Sequence, residues 1–187
     1  MGRIILAGIA GGIAMFVMMS IAHMSLVAQV GFSQMANDKA AISALQTATA
    51  NKPGLYIYPT VDMHSKDAMS KAEAVRKVMP SGILIYQPPG VPGMTPKLLG
   101  TEFATEIVQA LIAALLLSFT VIASYVGRVG FVALVGAVSV VTTNISYWNW
   151  YAFPASYTLA NMGIELASFL AAGFVIAAIV KPRSANA

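Results

Sequence analysis

Two histidines, seven acidic residues and no cysteine make up the chain's stock of acid–base and hard-ligand chemistry. Three of these groups, His23, Glu106 and Glu165, fall inside long apolar runs, where an ionisable side chain is costly and is a functional candidate by default. Two carboxylates and one imidazole on three separate helices could bind a divalent metal or pass a proton. A plainer arrangement pairs His23 with one glutamate and leaves the other protonated or facing water, which would lock helices together without any ligand. Met15, Met19 and His23 also recur at i, i+4 and i+8, so they share a helix face. Thioether and imidazole suit Cu(I), although methionine's ordinary role is to fill irregular apolar gaps. His64 has no second histidine nearby and reads as a solvated turn residue.

The segment Tyr147-Trp148-Asn149-Trp150-Tyr151 holds both tryptophans of the chain. Amphipathic rings prefer the headgroup level of a bilayer, so this cluster reads first as an interfacial belt. Its second reading is a cofactor surface, with Tyr147, Trp148 and Trp150 stacking on a lipid, quinone or pigment. Pro154 then breaks the chain before the next apolar run.

No catalytic, nucleotide-binding or metal motif stands out, and the chain reads as a non-enzyme. The lack of cysteine excludes disulfides, iron–sulfur clusters and thiolate zinc sites. A net charge of +4 is not a nucleic-acid signal here, because Arg3, Arg128, Lys181 and Arg183 sit at the ends of apolar runs.

The elements that must carry these residues follow from hydropathy. With 58% hydrophobic and 10% charged residues, the composition lies outside that of soluble domains. Four apolar runs, roughly 4–30, 98–126, 129–147 and 157–180, are each long enough or nearly so for a hydrocarbon core of about 30 Å. The expected architecture is an all-α membrane protein, a four-helix transmembrane bundle with a small α/β extracytoplasmic loop between helices 1 and 2. Residues 1–30 form the first span, 31–97 the loop, and 98–187 the other three spans with a short cytoplasmic tail. The first run is too long for a signal peptide's apolar region and reads as an uncleaved anchor. The four terminal basic residues lie on one side of such a bundle, which predicts cytoplasmic termini; long loops translocate largely regardless of charge.

Within the loop, Gly54–Tyr58 and Ile83–Tyr86 are short β-prone runs. Ser65–Met79 has helical periodicity, with a possible capping box at Ser70–Glu73 that would start it later, and a shorter helix fits Asp38–Thr47. In the membrane runs, Gly8 and Gly12 form a GxxxG, and Gly163, Ala167 and Ala171 a second small-residue row suited to close helix packing.

The stretches Gly8–Ile13, Gly54–Pro59 and Ser146–Pro154 resemble a group of uncharacterised bacterial four-span inner-membrane proteins. That resemblance implies an inner-membrane location and the four-span plan, and brings no activity, cofactor or site. The leading functional expectation is a non-enzymatic accessory or assembly subunit of a larger membrane complex. Its partners would be the lipid bilayer and other membrane subunits or further copies of itself, with no nucleic acid. The alternative is a metal-, quinone- or cofactor-binding membrane protein using His23, Glu106 and Glu165. A small channel or transporter component stands third.

Overall fold

The computed structural model describes residues 1–62 and 64–182, so Arg183 lies outside the described residues. The chain divides into two compact units, one made of Met1–Phe32 with the chain from Met94 onward, the other of Ser33–Gly93.

The first unit is a helical bundle: α1 Gly2–His23, α4 Pro96–Ser118, α5 Tyr125–Tyr151 and α6 Ala155–Ile179. All four helices are long and apolar enough to cross a membrane, which marks an integral membrane protein by length and composition. Their outward faces agree: Ile5, Ile9, Val17 and Ile21 on α1, and Leu134, Val138 and Val141 on α5, are exposed. Apolar residues all round a helix suit a lipid environment, where the outer face is solvated by hydrocarbon.

α1 packs between α4 and α6, and α5 packs on α6, while α4 and α5 make only a slight contact. The shared core gathers Ala7 and Met15 from α1, Ala113 and Leu117 from α4, Val132 from α5, and Phe169, Ala172 and Ile176 from α6. Since hydrocarbon gives no hydrophobic drive between helices, this bundle is held by close approach. A Cβ on Gly12 would stand 2.6 Å from the Ile107 Cα, and one on Gly11 would meet the Ile176 side chain at 2.8 Å. The GxxxG of α1 is therefore the α1–α4 seam. Gly163, at the head of the second row, plays no such part, because a Cβ there meets nothing within 4 Å. On α6 the close-packed face is instead Phe169, Ala172, Gly173 and Ile176.

Helix ends differ from the hydropathy runs where polar side chains intervene. The first run stops being an α-helix at His23, where the Ser25 hydroxyl donates to the Ala22 carbonyl and accepts from the Val27 N–H; a 3-10 turn, Leu26–Gln29, follows. At Gly31 the chain adopts a φ of +88° against the Tyr157 backbone, where a Cβ would be both strained and blocked. α4 begins at Pro96, the favoured first helical position, with the Thr95 hydroxyl accepting from the Leu98 N–H. It ends at Ser118, eight residues before the apolar run does. Ser124 then caps α5, and the Arg128 guanidinium donates to the Ile122, Ala123 and Ala177 carbonyls. Arg128 thus satisfies loose carbonyls of the α4–α5 link and of the last turns of α6.

The second unit holds α2 Asp38–Ala48, β1 Gly54–Tyr58, α3 Ala68–Arg76 and β2 Gly82–Tyr86. The strands pair antiparallel, Leu55 opposite Ile85 and Ile57 opposite Ile83. The Asn37 side chain caps α2 by accepting from the Ala40 N–H. The expected capping box on α3 does not form: Asp67 occupies the N-cap position and Ser70 donates to the Asp67 carbonyl.

Candidate functional site

Glu106 is the tenth residue after the start of α4 at Pro96, and Glu165 the tenth after the start of α6 at Ala155. At about 1.5 Å per residue both lie about 15 Å in from the same end of the bundle, near the mid-length of their helices. The slight α4–α5 contact leaves room between these helices, and a cavity of about 180 Å³ occupies it. Glu102, Glu106 and Gln109 line it from α4, Ser139 and Thr143 from α5, and Glu165 and Ser168 from α6. Met19 and Phe169 complete the lining.

The two central carboxylates are held differently. One Glu165 oxygen accepts from the Asn144 amide at 3.1 Å and the other from the Asn161 amide at 3.2 Å. Asn161 also donates to the Asn144 carbonyl oxygen at 3.1 Å, and the Asn144 amide reaches the Val140 carbonyl at 3.0 Å. Glu165 is thus pinned by a closed amide network spanning α5 and α6. Glu106 is only 3% exposed, and its Oε2 has no hydrogen-bond partner among the described residues. A buried carboxylate oxygen without a partner is costly, so this atom marks a place that a counter-charge or a proton would complete. No lysine or arginine is among the residues lining the cavity.

His23 lies elsewhere. It is the last residue of α1, and it lines a second, larger cavity of about 640 Å³ with Phe16, Met19, Met24, Met94, Leu98, Leu99 and Glu102. The structure brings Glu106 and Glu165 to one cavity and His23 to its neighbour. Among the described residues no group of three His, Asp or Glu side chains is arranged to hold a metal ion. Met15 is buried in the core at 1% exposure, so it does not join Met19 and His23 in lining the larger cavity.

The aromatic segment is the last turn and a half of α5 rather than a loop, with the connection to α6 reduced to residues 152–154. Ala152 turns the chain in the left-handed conformation. Tyr147 stacks on Phe153 (centroids 5.5 Å apart, planes at 23°), Phe153 meets Tyr157, and Tyr157 meets Phe32 edge-on. Trp148 and Trp150 stand outside this string and are 48% and 76% exposed.

Asn161, Gln109, Ser139, Thr143 and Ser168 are site residues that sequence reasoning did not single out. Asn161 and Glu165 lie at i, i+4, a spacing that puts them on one face and was the available signal. Comparison with protein-family models, curated proteins and solved structures gives no match.

Proposed function

We propose that this integral membrane protein binds a cation at the Glu106–Glu165 cavity. The carrying observation is the unpartnered, buried Oε2 of Glu106, a residue that lines a polar cavity with two further carboxylates and, among the described residues, no lysine or arginine. Several carboxylates around one low-dielectric cavity repel one another, and a cation there relieves both that repulsion and the lost hydration. Glu165, clamped by Asn144 and Asn161, supplies a fixed acceptor, and Glu106 supplies one without a protein partner among the described residues.

Dicyclohexylcarbodiimide, which attacks carboxyl groups in apolar surroundings, tests this directly. In purified protein it is expected to modify Glu106 ahead of Glu165, and methylammonium is expected to protect Glu106. Modification unaffected by methylammonium, sodium or potassium would remove the reading.

A second reading, the accessory or assembly subunit, is favoured by one feature of the second unit. Leu55, Ile57, Ile83 and Ile85 share one face of the two-stranded sheet and all are exposed, Leu55 at 72% and Ile85 at 75%. An aliphatic sheet face left open is a surface for another protein. Native mass spectrometry of the gently extracted protein would show co-purifying subunits, which Leu55→Glu with Ile85→Glu would release without unfolding the chain. A partner retained by that variant would place the contact elsewhere.

Cytoplasmic termini, an extracytoplasmic 33–93 unit and a bacterial inner-membrane location belong to the same proposal. Arg3, Arg128 and Lys181 support that orientation, since basic residues near helix ends favour the cytoplasm.

A further inference from the structure

We infer that the cation is a lipophilic organic one, its charge held at the carboxylates and its apolar body in the larger chamber beside them. This inference rests on the cation-site reading above and names its substrate class. The two cavities adjoin, because Met19 and Glu102 line both. The smaller one, about 180 Å³, offers carboxylates, hydroxyls and an amide to a compact charged head. The larger one, about 640 Å³, lies in the size range of sites for drug-sized molecules.

Its walls decide what fills it. Phe16, Met24, Met94 and Leu98 give a mostly apolar surface, with Glu102 at the boundary toward the acidic cavity. A bare inorganic ion needs a close cage of oxygen ligands, which these side chains do not supply. Thioethers and an aromatic ring do suit the polarisable surface of an organic cation. Phe16 is held edge-on to Phe103, with ring centroids 5.3 Å apart and planes at 86°, so its orientation is fixed by packing. The methionines are the adaptable part, with unbranched chains that refit to ligands of different outline. Among the described residues neither cavity has a lysine or arginine in its lining, and three carboxylates, Glu102, Glu106 and Glu165, outnumber the one imidazole, His23, so a cation gains more charge partners than an anionic or neutral amphiphile does. Charge complementarity therefore selects the occupant.

The test uses the full chain in lipid nanodiscs, with tetraphenylphosphonium as the lipophilic cation and triphenylphosphine oxide as an uncharged counterpart of similar shape. Equilibrium dialysis should show saturable tetraphenylphosphonium binding above that of empty nanodiscs. Glu106→Gln should weaken it by roughly tenfold or more, as expected for losing one partner of a desolvated charge pair. Tetraphenylphosphonium binding no better than to empty nanodiscs, with methylammonium protection intact, would overturn this inference and leave the cation site standing. Equal binding of triphenylphosphine oxide would also overturn it, since the chamber would then be blind to charge. Absence of protection by methylammonium, sodium and potassium alike in the unaltered protein would remove both readings together.

Discussion

Asn144 carries more of the site than its single side chain suggests. Its amide joins the Val140 carbonyl on its own helix to the Glu165 carboxylate on α6, and its oxygen takes the Asn161 amide. Asn144→Ala is expected to cost about 1 kcal/mol, the usual scale of an interhelical hydrogen bond in a membrane, read as a lowered Tm in detergent. Freed of one donor, Glu165 should also become more reactive toward carbodiimide; an unchanged labelling ratio would mean that Asn161 alone positions it. Arg128→Met removes one guanidinium from three carbonyls and should cost about 2 kcal/mol, with Arg128→Lys recovering only part, because an ammonium cannot span the same fork. The site was half legible in sequence. Glu106 and Glu165 drew notice because a charge in an apolar run needs a reason. What linear spacing could not give was rotation about each helix axis, which turns Glu106 and Glu165 to one cavity and leaves His23 at the end of α1 lining another.

Helix packing gives a sharper contrast. Gly12 faces the Ile107 backbone so closely that any Cβ displaces α4, whereas Gly163 faces open space. Gly12→Leu should therefore disperse the bundle, seen as aggregation or loss of the folded peak on size-exclusion chromatography, while Gly163→Leu should elute like the unaltered protein. A well-behaved Gly12→Leu would mean that α1 and α4 can separate without loss of the fold. The same contrast explains how far elements could be read from sequence. Gly8–Gly12 and Gly163–Ala167–Ala171 look alike as strings, and only the structure tells the packed Gly12 from the open Gly163. The strands read at 54–58 and 83–86 were legible because glycine and proline bound them, and the helix read at 38–47 ends within one residue of the observed 38–48. The end of α4 was not, since Val121, Ile122 and Ala123 continue the apolar run through a non-helical link whose carbonyls Arg128 satisfies.

At the scale of the bundle, charge is sorted along the helix axes. Arg3 at the start of α1, Arg128 at the start of α5 and Lys181 just past α6 belong to the end where Ala7, Leu117, Val132 and Val180 pack tightly. Glu102, Glu106 and Glu165 belong to the other half, where the α4–α5 seam opens into the cavity. With the basic end in the cytoplasm, the acidic half faces outward, and a cation would reach Glu102 before Glu106, because Glu102 lies one turn nearer that end of α4. The chain's lack of cysteine makes this orientation simple to measure. Lys66→Cys lies in the second unit and Ala123→Cys in the α4–α5 link, and both positions are exposed. In intact cells a membrane-impermeant maleimide should label Lys66→Cys, and should label Ala123→Cys only after the membrane is opened. The reverse pattern would invert the protein, so that the acidic cavity draws its cation from the cytoplasm and the basic end is held outward against the usual charge bias.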